Sequence, residues 1–228
     1  MLYVNDLAKE RPQAAALARR LWPAVLVLSF IATTAAVRRL IALAHPAAAA
    51  SPMGGLDALF ETKASMTRAH VIVGLAVALI IPLQLATRVR TRLPRLHRWL
   101  GRMFVIAGVA TALSGYAMVA IPVGGRLEVS AIIFYATAFL VTLLTAWVHI
   151  RRGDVVRHRE WMLRAVAIVL GIAATRPVVA VFFATSRLTA LSPSQFFGVA
   201  FWIGFTSTSL AGEWYVRRTR RGRLAKPA

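Results

Sequence analysis

The chain has 228 residues, of which 58% are apolar and only 16% are charged, and its formal net charge is +20 at pH 7. So apolar a composition excludes an ordinary soluble domain. The absence of cysteine excludes disulfides, thiolate-ligated metals, iron-sulfur clusters and covalently attached haem. We therefore predict an integral membrane protein.

Long apolar stretches, each close to the roughly 20 residues that a bilayer core requires, recur along the whole chain. They cover residues 21–43, 68–88, 100–122, 129–150, 161–184 and 195–216. A helix satisfies its own backbone hydrogen bonds where no water is present. The sequence thus predicts an all-α, polytopic bundle of six transmembrane helices, forming a single membrane domain over residues 1–228.

Basic residues concentrate in alternate segments between these stretches. Residues 1–20, 88–102, 149–164 and 217–228 hold 21 of the 28 lysines and arginines. Positive charge is retained on the cytoplasmic side, so we predict that both termini are cytoplasmic and that the protein lies in the bacterial cytoplasmic (inner) membrane. Because the charge flanks apolar helices, it indicates contact with anionic lipid headgroups and not with nucleic acid.

The first stretch ends in a pair of arginines that breaks this charge pattern. We interpret the stretch as an uncleaved anchor helix and expect Arg38 and Arg39 to snorkel to the outer surface. Proline and glycine in the following segment, residues 44–67, predict an irregular outer loop. One amphipathic turn is expected there, around Leu56, Leu59 and Phe60.

A histidine-arginine motif opens the third and the fifth predicted helices, as His97-Arg98-Trp99-Leu100-Gly101-Arg102 and as His158-Arg159-Glu160-Trp161-Met162-Leu163-Arg164. Two imidazoles at equal depth are able to ligate one haem b iron axially. Arg98, Arg102, Arg159 and Arg164 would then pair with the propionates. The alternative is that these histidines, with His149, are ordinary interfacial residues.

Polar residues within the predicted helices indicate a second place of interest. Arg176 lies in the outer half of the fifth helix, where a charge is costly and requires a partner. His70 lies at a comparable depth, and a lipid or quinone headgroup or helix-end carbonyls are alternatives. In the inner half, we expect an interhelical salt bridge from Glu213 to Arg102 or Arg164, and an interhelical hydrogen bond from Gln84.

Small residues at four-residue spacing predict close helix contacts, because lipid gives no hydrophobic drive and backbones must approach. Ala167, Gly171 and Thr175 form such a stripe on the fifth predicted helix. We expect this stripe to face another helix.

A wider pattern of spaced residues runs through positions 68–177, comprising His70-Val71-Ile72-Val73-Gly74, Gln84, Arg88, His97-Arg98-x-x-Gly101-Arg102, Gly115, Trp147, His158-Arg159-x-Trp161-Met162-x-Arg164 and Arg176. It resembles an uncharacterised bacterial membrane-protein family, domain of unknown function 2306, and this resemblance implies a polytopic membrane protein without a defined activity. A looser similarity is to b561-like and ferric-reductase-like membrane cytochromes. It implies bis-histidine haem ligation from alternate helices, which His97 and His158 fit for one haem.

Two functions remain open from the sequence. One is b561-like electron transfer through a single haem b on His97 and His158, which would make the protein a membrane oxidoreductase. The other is a haem-free membrane protein that binds or transports a lipid, quinone or small solute, with His70 and Arg176 as its polar centre.

Overall fold

The computed structural model describes residues 12–45 and 54–224, and this part of the chain consists of helices joined by short connections. In chain order the helices are α1 (Pro12–Ala44), α2 (Gly54–Glu61), α3 (Ala64–Leu85), α4 (Thr87–Arg92), α5 (Pro94–Met118), α6 (Gly125–Arg151), α7 (Val155–Thr189) and α8 (Pro193–Leu224). The predicted all-helical class is confirmed for the described residues. Each of the six predicted stretches corresponds to one long helix.

The long helices begin earlier than hydropathy predicts, because local signals set their first turns. Pro94 occupies the first turn of α5, where a missing N–H costs nothing and the fixed φ suits a helix. Asp154 precedes α7 and its Oδ1 accepts the backbone N–H of Arg157 at 3.0 Å, so it acts as an N-cap. Hydropathy detects only the apolar part of each helix and misses these polar starts.

Five helices within the described residues are long and apolar enough to cross a membrane: Ala16–Ala44, Ala64–Leu85, Pro94–Met118, Gly125–Arg151 and Val155–Thr185. The remaining long helix, α8, has a polar run at Thr206-Ser207-Thr208-Ser209, followed by a strongly basic end. These residues lower its hydropathy below that of the other five.

The helices pack in the order α1, α3, α5, α6, α7, and α7 returns to α1, so these five form a closed ring. Helix α8 packs along α6 and α7, and its contact with α7 is the most extensive in the molecule. Helices α5 and α7, which carry the two histidine-arginine motifs, are separated in the ring by α6. The core between the helices is built from large apolar side chains such as Val77, Phe104 and Leu143.

The predicted small-residue stripe on α7 lies in the interface with α8. A Cβ added at Gly171 would lie 2.7 Å from the Cα of Phe205, and one added at Gly204 would lie 2.6 Å from the backbone N of Thr175. The two backbones therefore approach as closely as glycine permits. The prediction that this stripe faces another helix is confirmed.

The bundle has two polar ends, which we name after a residue at each. The Asp57 end contains α2, the first turns of α3 and α6, and the last turns of α1 and α5. The His158 end contains α4 and the turn between α6 and α7, in which Gly153 has a φ of +76°. That left-handed conformation favours glycine and allows the chain to reverse within three residues.

Candidate functional site

The Asp57 end gathers polar side chains from five helices. We name Arg38, Arg39, Lys63, His70 and Arg176 the basic centre. The carboxylates of Asp57 and Glu128 lie beside it. Only His70 and Arg176 are predicted from the sequence as members of this site.

The paired arginines of α1 both bind Asp57 in the first turn of α2. Arg38 Nη2 lies 2.7 Å from Asp57 Oδ2, and Arg39 Nη1 donates to Asp57 Oδ1. The Arg39 guanidinium also lies over the Phe60 ring, 4.1 Å from its centroid, and the residue is only 8% exposed. The prediction that Arg39 snorkels to the surface is therefore wrong, because α2 covers it with a carboxylate and an aromatic ring.

Helix α2 lies within residues 44–67, the segment predicted to be an irregular outer loop. Residues 46–53 of that loop lie outside the described residues. The expected amphipathic turn is present as α2, in which Leu59 is exposed and Phe60 packs against Phe197 with a centroid distance of 6.4 Å. This helix positions Asp57 against Arg38 and Arg39.

Lys63 and Glu128 are buried beside the basic centre, each only 4% exposed. Lys63 Nζ donates to the carbonyl of Ile121, and Glu128 Oε2 accepts the backbone N–H groups of Val123 and Gly124, both at 2.6 Å. Burial lowers the pKa of Lys63, and the nearby charge of Glu128 acts in the opposite direction. Sequence reasoning missed both residues, although an acidic residue in the first turn of a helix, such as Glu128 in α6, is a general helix-start signal.

His70 lies between α3 and α5. Its Nδ1 is 2.9 Å from the Ser114 hydroxyl oxygen, which in turn lies 2.7 Å from the Ala110 carbonyl oxygen. Both contacts are satisfied when His70 donates to Ser114 and Ser114 donates to Ala110. That assignment leaves Nε2 of His70 as an acceptor.

Arg176 lies about 32 Å along α7 from Val155, at 1.5 Å of rise per residue. It is within electrostatic range of His70, and also of Arg38 and Arg39. Its Nε atom is enclosed and has no hydrogen-bond partner among residues 12–45 and 54–224. Its nearest charged neighbours include two further cations, so the basic centre retains an unneutralised guanidinium.

The charges of the basic centre and of the two carboxylates beside it do not balance. Four cations, Arg38, Arg39, Lys63 and Arg176, lie near Asp57 and Glu128, which leaves an excess of two positive charges in this group, although Arg38 is exposed. An excess cation in apolar surroundings is costly unless an anion approaches it. The arrangement is therefore suited to holding an anionic group.

The predicted haem ligands lie at the opposite end of the bundle. His97 and His158 are within electrostatic range of each other. His158 Nδ1 donates to the Ala146 carbonyl at 2.8 Å, which leaves its Nε2 for another partner, whereas His97 Nδ1 is enclosed without a hydrogen bond. Gln84 Nε2 donates to the backbone carbonyl of His97 at 2.8 Å, so the expected interhelical hydrogen bond from Gln84 is present.

The arginines expected to hold propionates differ in their surroundings. Arg98 and Arg102 are exposed and Arg159 is partly buried. Arg164 Nε donates to Glu213 Oε2 at 2.7 Å, which confirms the predicted interhelical salt bridge with Arg164 as the partner.

The described residues show two histidines able to ligate a haem iron, and no cluster of three or more His, Asp or Glu side chains that would hold a metal ion on its own. The imidazoles of His97 and His158 thus fit one bis-histidine haem in donor type.

Comparison with known proteins gives one match. A family model described as "Predicted membrane protein (DUF2306)" matches residues 67–215. No curated protein and no solved structure matches the chain. The similarity to b561-like cytochromes gains no support from these comparisons.

Proposed function

The chain belongs to the DUF2306 family of predicted membrane proteins, and we propose that it binds an anionic lipid headgroup or a small anionic solute at its basic centre. The single observation that supports this proposal is the enclosed guanidinium Nε of Arg176, which has no partner among the described residues and lies near Arg38 and Arg39. A buried cation without a counter-charge is a functional-site candidate in a membrane.

The charge excess favours an anion over a neutral quinone. A quinone carbonyl would accept hydrogen bonds from Arg176 but would not neutralise the excess positive charge of the basic centre. A carboxylate or phosphate does both, and it forms charge-assisted, bidentate hydrogen bonds with a guanidinium. His70, whose Nε2 is not bonded to Ser114, would contact a polar part of the same ligand.

We further propose that α8 is a sixth transmembrane helix and that both termini are cytoplasmic, in a bacterial inner membrane. Helix α8 has 32 residues and packs along two helices that are themselves long and apolar enough to cross. Its polar run is compensated by hydrogen bonds: Ser207 donates to the Ile203 carbonyl at 2.6 Å, and Thr206 pairs with Tyr135 at 2.6 Å. The basic segments cluster at the His158 end, which supports that end as cytoplasmic.

Replacement of Arg176 by leucine tests the proposed binding. In nanodiscs of neutral phosphatidylcholine, acetate, inorganic phosphate or added phosphatidylglycerol is expected to raise the thermal unfolding temperature of the wild-type protein. The Arg176→Leu variant is expected to bind the effective anion about tenfold more weakly or worse, because it loses a hydrogen bond between charged groups. Ligand-dependent thermal shifts measure this difference.

Arg126→Leu is the matched control, because Arg126 is an exposed arginine in the first turn of α6 at the same end of the bundle. It is expected to keep wild-type anion binding. Equal losses in the two variants, or no anion-dependent shift in the wild-type protein, would refute the proposal. Stabilisation by menaquinone that depends on Arg176, with no response to anions, would replace the anion by a quinone.

A second candidate function is electron transfer through one haem b. It is supported by two imidazoles at the His158 end, one with a free Nε2 and one with an enclosed, unpaired Nδ1. Such a haem would supply one-electron chemistry, and His97 and His158 would hold it. Expression with ample haem is expected to give a Soret band that His97→Ala or His158→Ala abolishes and His149→Ala leaves intact; a spectrum without that band would exclude this function.

A further inference from the structure

A polar cavity of about 490 Å³ opens at the His158 end between α6, α7 and α8. Its lining includes three arginines, Arg157, Arg164 and Arg220, and the imidazole of His149. Two carboxylates, those of Glu160 and Glu213, and the indole of Trp161 complete it. The basic centre lies at the opposite end, so this cavity is independent of the function proposed above.

Arg164 is held in a fixed orientation within this cavity. Its Nε donates to Glu213 Oε2 at 2.7 Å and its Nη2 lies 3.5 Å from Glu213 Oε1, while its guanidinium carbon lies 4.8 Å from the Trp161 ring centroid. Glu213 also accepts from Arg217 Nε at 2.6 Å. A guanidinium has five N–H donors, so Arg164 keeps donors for a ligand after it has bound Glu213.

The lining favours a phosphate group as the ligand. Three arginines and two carboxylates line the cavity, and Arg217 and Asp154 form ion pairs at its margin, so one excess positive charge remains. Arginine forks match the geometry of phosphate oxygens, and basic cavities between transmembrane helices are typical sites for anionic lipid headgroups. Trp161 supplies an indole, a side chain enriched at membrane interfaces. The volume lies within the roughly 300–1,000 Å³ that small-ligand sites occupy.

We propose that this cavity binds a phosphate group, carried by an anionic phospholipid or free in solution, with Arg164 as the fixed anchor and Arg157 and Arg220 as the additional ligands. Arg157 and Arg220 are exposed, and the ion pair of Arg157 Nε with Asp154 Oδ2, at 3.5 Å, also lies at the surface, so replacing both arginines leaves the helix packing in place. Arg164 is unsuitable as a test position because its loss would also break the salt bridge with Glu213.

The test compares Arg157→Gln/Arg220→Gln with Arg218→Gln, a matched control that removes an exposed arginine of α8 outside the cavity lining. Native mass spectrometry of the detergent-solubilised protein counts bound phosphatidylglycerol against phosphatidylcholine, and thermal shifts measure binding of inorganic phosphate. Whichever of the two probes binds the wild-type protein is expected to bind the double variant about tenfold more weakly or worse, because charge-assisted hydrogen bonds are lost. Arg218→Gln is expected to bind this probe as the wild-type protein does.

Selective binding of phosphatidylglycerol identifies a lipid headgroup, and binding of inorganic phosphate identifies a soluble ligand. In the Arg176→Leu background, the difference between the double variant and Arg218→Gln is expected to persist, which separates this cavity from the basic centre. Equal binding by the double variant and by Arg218→Gln would overturn the proposal. Failure of the wild-type protein to bind either probe would overturn it as well.

Discussion

Replacement of Glu128 by alanine is expected to lower the free energy of unfolding by about 3 kcal/mol, because it leaves two buried backbone donors without an acceptor. The Glu128 carboxylate accepts the N–H groups of Val123 and Gly124, both at 2.6 Å, and lies near the buried ammonium of Lys63. One change therefore removes the acceptor at the start of α6 and a counter-charge of the basic centre. Thermal or denaturant unfolding in detergent, followed by circular dichroism, measures the loss.

Glu61→Ala provides the matched control for this prediction. Glu61 is an exposed glutamate at the end of α2, on the same end of the bundle, and its removal is expected to change stability by no more than about 0.5 kcal/mol. If the two variants have the same free energy of unfolding, the buried carboxylate of Glu128 contributes no more to stability than an exposed one. Glu128 would then be a passive neighbour of Lys63.

The helices themselves are predictable from hydropathy, and their ends are not. A span is recognised because about 20 apolar residues have few alternatives to a membrane helix. The start of α7 depends on Asp154, a single capping side chain, and the start of α5 depends on Pro94. These are local hydrogen-bonding and steric effects, which an average over many residues conceals.

The basic centre shows which parts of a site a sequence reveals. Arg176 is conspicuous because it interrupts an apolar stretch, and His70 follows from its depth. Arg39 and Lys63 lie at helix ends, where the sequence favours snorkelling, and their burial depends on α2 packing over them. Tertiary contact between elements far apart in the chain decides burial, and no local pattern contains that information.

The repeated histidine-arginine motif illustrates a different limit. Equivalent positions on two parallel helices place His97 and His158 in electrostatic range of each other. The arginines that directly follow them in sequence do not share one environment: Arg98 is exposed, whereas Arg159 is partly buried. A repeat in sequence predicts the depth of a residue more reliably than it predicts its partner.

The interface between α7 and α8 gives the second large effect. Gly204→Val is expected to lower the free energy of unfolding by about 3 kcal/mol, because overpacking against backbone cannot be relieved by a side-chain rotation. An added Cβ at Gly204 would lie 2.6 Å from the backbone N of Thr175 and 2.9 Å from its Cα. Valine adds two methyl groups beyond that Cβ, so α8 must move away from α7. Thermal unfolding in detergent measures the effect.

Gly74→Val separates this contact from the general effect of valine in a helix. Gly74 lies in the interior of α3, and a Cβ added there would meet nothing within 4 Å. Because valine has a better helix propensity than glycine, this control is expected to be neutral or slightly stabilising, by less than about 1 kcal/mol. Equal stability of the two variants would mean that α8 adapts to the larger residue, and the close approach of its backbone to α7 would then not be required for the fold. If only Gly204→Val loses stability, the stability of the bundle depends on the close contact between Gly204 of α8 and the backbone of α7.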